Sequence, residues 1–312
     1  MIWFSRLSDT ARGILFMVVS VTAFSFMDAM AKLLGQRVDI SQILLARYGG
    51  QIVVLMIVFG PRMTRLLRTD YPRLQLLRAA FQLMAAGSFF YALKFIGLAE
   101  ATAVADVAPV LITLGAALIL GEKVGPRRAF GIAAALVGAL IIIRPGSGVF
   151  SPAALLPLIA ACALAGYAII TRFIGNSEPP QTGLLYSGLF GTAVMLLVAP
   201  FRWVPLDAVS VALMVAVAVI GSLGQFMMIR AYSSAEASVV APFSYAGLLT
   251  ATFWGVVIFD AFPDLWTVVG GLVVVSAGLY VWHRETRRGA PSPLAQSGSQ
   301  ATPIDKDQTG TR

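Results

Sequence analysis

The chain has 312 residues, 58% hydrophobic and only 12% charged, with a net charge of +8 and a mean hydropathy of +0.83. A soluble domain carries about 25% charged residues because polar groups must cover its core, so this composition excludes an ordinary soluble fold. The basic residues form no continuous stripe, which argues against nucleic acid, and the single Cys162 can form no disulfide within the chain and has no metal-binding companion.

The apolar residues come in long unbroken runs, not in the alternation of a membrane β-barrel. Such runs are predicted to be membrane-spanning helices, since only helices satisfy their backbone hydrogen bonds within one segment. In chain order they fall near 13–35, 41–59, 74–95, 101–120, 128–143, 153–173, 182–200, 208–230, 237–258 and 265–283. The first follows Arg6 and Arg12 and lacks a small-residue cleavage site, so it reads as a spanning helix and not a signal peptide. Breakers punctuate the rest: Gly60-Pro61, Gly125-Pro126, Arg144-Pro145-Gly146, Pro179-Pro180 and Pro263. After Arg288 the chain turns to Gly, Pro, Ser, Gln and Thr, predicting a disordered tail over 289–312.

Lysines and arginines at the ends of these runs are unevenly shared. With the N-terminus in the cytoplasm, one face collects 14 of them and the other only Lys32, Arg37, Lys94, Arg144 and Arg202. This predicts both termini in the cytoplasm of a multi-pass bacterial inner-membrane protein. The side with 14 is the basic face.

The chain also repeats itself. Shifted by 136 positions, Leu93-Lys94 falls on Ile229-Arg230, Ala99-Glu100-Ala101-Thr102 on Ala235-Glu236-Ala237-Ser238, and Val104-Ala105 on Val240-Ala241. The match joins the third and fourth runs to the eighth and ninth, so each half holds five helices, over 12–145 and 153–285. Five is odd, so the second copy enters the membrane upside down. The predicted fold is therefore all-α, ten transmembrane helices as two inverted five-helix repeats. Inverted repeats recur in secondary transporters, whose equivalent halves exchange outward and inward openings.

The stretch ALKFIGLAEATAVADVAPVLITLGAALILGEKVGPRRAFGIAAALVGALIIIRPG (residues 92–146), with Pro109, Gly121-Glu122, Gly131 and Gly138, resembles the drug/metabolite transporter superfamily, specifically its EamA-type ten-helix members. Residues 229–285 match in the second half. One departure stands out: where the family commonly has Gly-Glu at the end of the ninth helix, this chain has Asp260 and Ala261, so Asp260 or Asp264 is expected to supply the missing cap. The overall look is similar to short proteobacterial transporters for riboflavin or S-adenosylmethionine, and residues 10–34 suggest the riboflavin type. The resemblance implies a small-molecule substrate carried through a monomer or homodimer, with an S-adenosylmethionine carrier or a metabolite exporter as the alternative.

Ionisable residues at membrane depth are costly and generally face a bundle interior. Asp28, Arg47 and Asp106 fall at similar depth and are expected to line a polar passage, or to tie helices together as an Asp28–Arg47 pair. Lys32, one turn from Asp28, is expected to snorkel outward. Gln82, Tyr91, Gln225, Ser244, Tyr245 and Trp254 add hydrogen-bonding and flat stacking surfaces suited to an aromatic heterocycle, or to helix packing. Pro109 and Pro242 open the ladders of their helices. Gly131, Gly138, Gly270, Gly271 and Gly278 are expected to allow close helix contact. The lone His283, with no nucleophile–base set, metal-ligand cluster or phosphate-cradling loop, argues against an enzyme and against a cofactor or nucleotide. A non-transporting structural membrane protein is the rival from another class.

Overall fold

The computed structural model describes residues 9–60, 63–120, 126–144, 152–174, 177–234 and 241–288. The family-like Gly121-Glu122, the repeat copy at 235–240 and the tail 289–312 lie outside these residues. Helix starts are set by local chemistry. Helix α1 (Asp9–Leu34) is followed by α2 (Ile40–Phe59), whose capping box is complete. The Asp39 carboxylate accepts from the Ser41 N–H at 2.9 Å, and Gln42 Oε1 accepts from the Asp39 N–H at 3.3 Å. A short α3 (Met63–Leu66) precedes α4 (Pro72–Ala92). Proline opens both α4 and α9 (Pro180–Val198), the position at which its missing N–H costs nothing.

The fourth expected span is two helices, α5 (Leu98–Ala105) and α6 (Ala108–Leu120), separated at Asp106-Val107. Pro109 has no N–H for the Ala105 carbonyl, and the chain crosses the gap with a tighter Val110 N–H to Val107 carbonyl bond of 3.0 Å. Helix α7 (Pro126–Ile143) ends the first half. The second half holds a 3₁₀ turn (Pro152–Leu155), α8 (Leu156–Ile174), α9, a second turn (Ala199–Arg202) and α10 (Ala208–Ser234). A third turn (Ala241–Tyr245) then runs into α11 (Ala246–Phe259), and α12 (Leu265–Arg288) closes the chain. Among the described residues, five helices are long and apolar enough to cross a bilayer by length and composition alone. Helix α4 is not one of them, but its repeat partner α10 is.

The turn into α12 resolves the Asp260 question. Asp260 sits at the end of α11 with φ 50° and ψ 29°, the left-handed conformation that favours glycine and that aspartate tolerates. The helix cap is supplied by Asp264, whose carboxylate accepts from the Thr267 N–H at 2.9 Å and pairs with Arg144 at 2.5 Å.

The packing shows the duplication directly. Helix α1 packs on α10 and α4 on α8; α2 packs on α10 and α4 on α9; α1 packs on α11 and α6 on α8. Helices α2 and α9, α5 and α11, and α7 and α12 pair with each other. Exchange α1 with α8, α2 with α9, α4 with α10, α5–α6 with 241–259 and α7 with α12, and this set maps onto itself. Helices α7 and α12 cross at Gly138 and Gly270, where a β-carbon on Gly138 would sit 2.9 Å from the Gly270 carbonyl oxygen. Only glycine allows backbones that close.

The two halves also lock through equivalent connections on opposite faces. Near one face, Gln42 donates to the Val204 carbonyl at 2.9 Å and accepts from its N–H at 3.0 Å, while Arg37 pairs with Asp207 at 3.0 Å. Near the basic face, Glu178 accepts from Thr69 at 2.5 Å, the Asp70 N–H at 2.8 Å and Gln75 at 2.6 Å.

Candidate functional site

Two groups of polar side chains meet inside the bundle. The first lies among α1, α5, α11 and the turn before it. Asp106 terminates α5 at the break, with one carboxylate oxygen buried and unpartnered. Tyr245, the last residue of the 3₁₀ turn, is buried with its hydroxyl also unpartnered, and a β-carbon on Gly278 would fall on that hydroxyl. Ser244 precedes it, half-buried. Trp254 lies tilted against Phe26 at 4.6 Å and meets the outward-facing Phe253 edge-on at 4.9 Å between ring centroids, and its indole Nε1 has no acceptor. Ser25 on α1, one turn before Asp28, adds another buried hydroxyl without a partner.

The second group lies between α2 and α4. Arg47 places its guanidinium 5.3 Å over the Phe90 ring and 5.9 Å over Tyr48. The Tyr48 hydroxyl donates to the Gln82 carbonyl at 3.2 Å, and the Gln82 side-chain oxygen is buried without a donor. Asp28 and Arg47 form no ion pair within 4 Å among the described residues, so the structural tie that the sequence offered between them is not made. At 1.5 Å per residue, Asp28, Arg47 and Asp106 lie roughly 9–12 Å from the helix ends farthest from the basic face.

Tyr91 belongs to neither group. It follows Leu77 and Met84 at seven-residue intervals on the outward stripe of α4, is 49% exposed, and packs against Phe95 at 5.4 Å. The expectation that it faces the passage is corrected by helix phase. Gln225 is half-buried on α10 nearer the basic face, apart from both groups. Lys32 does not snorkel into solvent: its ammonium donates to the Ile96 carbonyl and lies 5.4 Å over the Phe259 ring. It thereby draws α1, the α4–α5 connection and the end of α11 together. Sequence reasoning missed Ser25, Tyr48 and Arg78. Arg78 is 6% exposed on the inward face of α4, and its signal was a charge more than one turn inside an apolar run.

Buried polar atoms are nearly always hydrogen-bonded, and an orphan calls for water or a ligand. The orphans here are mixed: donors from Tyr245, Trp254 and Ser25, acceptors from Gln82 and Asp106. Flanked by aromatic rings, such a set suits a flat, polar small molecule. A recess of about 480 Å³ elsewhere, between α7 and α12, is lined by Phe130, Leu272 and Tyr280 among others and faces outward; its apolar walls suit lipid chains. No group of three or more potential metal ligands occurs among the described residues.

Comparison with known proteins fits this geometry. A riboflavin transporter of Brucella anthropi is 28% identical over 280 residues, covering 86% of this chain and 98% of its own length. An S-adenosylmethionine uptake transporter of Rickettsia prowazekii is 26% identical over 278 residues, covering 88% and 94%. A solved crystal structure superposes with a TM-score of 0.61 at 20% identity, covering 89% of this chain and 99% of its own, which shows the shared fold. The EamA-like transporter family matches residues 11–144 and again 151–282, one match per half. With both halves accounted for, the chain is a multi-pass membrane transporter of small molecules, no enzyme, and a member of the EamA-like transporter family.

Proposed function

We propose that the chain carries riboflavin inward across a bacterial inner membrane, with both of its ends on the cytoplasmic side. The observation that carries this reading is the Phe26–Trp254 ring pair in a bundle that also holds buried donors and acceptors without partners. A flavin ring is flat, stacks on aromatic faces and offers donors and acceptors around its edge. The name of the Brucella relative points the same way. The surplus of basic residues on one face supports the cytoplasmic placement of the ends. Transport draws on an ion gradient or on substrate flow, through a monomer or a homodimer.

A second reading has its own support. Asp28 and Asp106 supply two carboxylates at similar depth, which suits the sulfonium cation of S-adenosylmethionine. The test is uptake of labelled riboflavin, S-adenosylmethionine and amino acids by cells lacking their own transporters. Saturable riboflavin uptake is expected. Saturable uptake of S-adenosylmethionine alone would install the second reading, and flux of riboflavin without saturation would argue for a channel. Labelling that placed the two chain ends on opposite faces would refute the proposed topology.

A further inference from the structure

The inward face of α4 carries a polar stripe that extends beyond the two groups described above. Gln75, Arg78 and Gln82 follow at i, i+3 and i+7, so they share one face, and their exposures are 1%, 6% and 9%. At 1.5 Å per residue, Arg78 lies roughly 6 Å from Gln82 toward the basic face. An arginine stays charged at any attainable pH, and burying it without a counterion is expensive. Among the described residues no carboxylate lies within ion-pair distance of Arg78. Glu178, which accepts from Gln75 on the stripe, is also engaged by Thr69 and the Asp70 N–H.

The surroundings hold the charge in place without neutralising it. The guanidinium lies 5.5 Å over the Tyr167 ring of α8. Its Nε is buried with no acceptor, and the side-chain oxygen of Gln75 is buried with no donor. On α9, a β-carbon at Gly183 would coincide with the guanidinium, so the absence of a side chain there is what admits it. The position 136 residues on, its equivalent in the second half, is Met214, so the repeat scaffold itself does not require a cation.

We propose that Arg78 is a substrate-recognition residue in the half of the bundle nearer the basic face. Its guanidinium receives a planar group with two neighbouring acceptors, as a carboxylate or the pyrimidine-dione edge of a flavin provides. The substrate reaches it along the α4 stripe from the Asp28–Arg47–Asp106 level. Two parallel hydrogen bonds to such a group supply both affinity and orientation. This rests on passage of the substrate through the bundle and not on riboflavin being that substrate.

Two measurements on the full chain in detergent test it. The first needs no substrate: thermal unfolding of Arg78→Met, which restores the residue type of position 214. A charge kept for a ligand burdens the empty protein, so this variant should melt at or above the wild-type temperature; a fall of several degrees would make Arg78 a structural residue and overturn the proposal. The second is binding of riboflavin, by flavin fluorescence, and of labelled S-adenosylmethionine. For whichever probe binds wild type, Arg78→Gln should weaken binding at least tenfold, and Arg78→Lys should recover part of it, since lysine keeps the charge and loses the fork. Gly183→Ala removes no charge but displaces the guanidinium. It should weaken binding comparably, with no further loss when combined with Arg78→Gln. Wild-type affinity in a folded Arg78→Gln refutes the proposal, and if that variant does not fold, wild-type affinity in both Arg78→Lys and Gly183→Ala does so. Binding of neither probe to wild type removes both named substrates and leaves the unfolding result to decide on Arg78.

Discussion

Replacing Glu178 with alanine should cost about 2–4 kcal/mol of stability, and the sum can be worked from its partners. Gln75 is 1% exposed and gives its side-chain N–H to Glu178 at 2.6 Å. Without that acceptor a buried amide is stranded, which costs about 1–3 kcal/mol. The bonds from Thr69 and the Asp70 N–H lie near solvent, where water replaces much of what is lost, so each adds only about 0.5 kcal/mol. Burial pushes the Glu178 carboxyl up, but the bonds from Thr69, Gln75 and the neighbouring backbone outweigh it and hold the group below the usual carboxylate range. A depressed carboxylate stabilises the fold above its unfolded pKa, and that contribution fades as pH falls through the folded value. The wild-type protein should therefore lose more stability on acidification than Glu178→Ala, which keeps only the contributions of other depressed carboxylates such as Asp39 and Asp264. Reversible unfolding in mixed micelles at neutral and acid pH measures both effects. A Glu178→Ala variant within 0.5 kcal/mol of wild type at neutral pH, or one that loses as much stability on acidification, would show that this contact between the halves carries no energy.

Other substitutions reach other parts of the molecule. Asp28→Asn and Asp106→Asn should each lower uptake at least tenfold at unchanged expression, as loss of a charged contact predicts; full activity in both would remove the carboxylates from the passage. Gly191→Ala puts a β-carbon 2.5 Å from the Tyr48 ring, and overpacking of this kind should cost about 1–3 kcal/mol in an unfolding titration. Lys32→Met frees the Ile96 carbonyl and should make cysteines introduced near Asp28 react faster with a membrane-impermeant thiol reagent from the side opposite the basic face. Asp264→Ala should lose about 1 kcal/mol through the cap of α12, whereas Asp264→Asn, which keeps the capping oxygen but loses the charge facing Arg144, should lose less than half of that.

What could be read from the sequence follows from what lipid demands. Spans were legible because a membrane imposes length and apolarity, and the duplication because two copies of one motif survived near Ala99 and Ala235. Helix phase was harder. In α2 and α11 both the lipid face and the protein face are apolar, so no amphipathic stripe marks the inside, and a polar aromatic such as Tyr91 can point either way. Asp106 stood out as a charge at depth, but the helix break that presents it is a backbone event signalled only by Pro109 three residues later. Arg78 was hidden for the opposite reason: basic residues near span ends usually report topology, and only the packing of Tyr167 and Gly183 around it distinguishes a buried cation from a solvated one.

The exchange symmetry of the contacts has a consequence for how the chain is made. Nearly every broad helix face in one half rests on the other half, while neighbours within a half, such as α2 and α4, touch little. The first five helices emerging during synthesis therefore have no stable arrangement of their own and wait in the bilayer for their mates. Two fragments severed in the connection between α7 and α8 should reassemble when produced together and be degraded when produced alone. By the same logic a half-length ancestor could have closed only by pairing with a copy inserted the other way up.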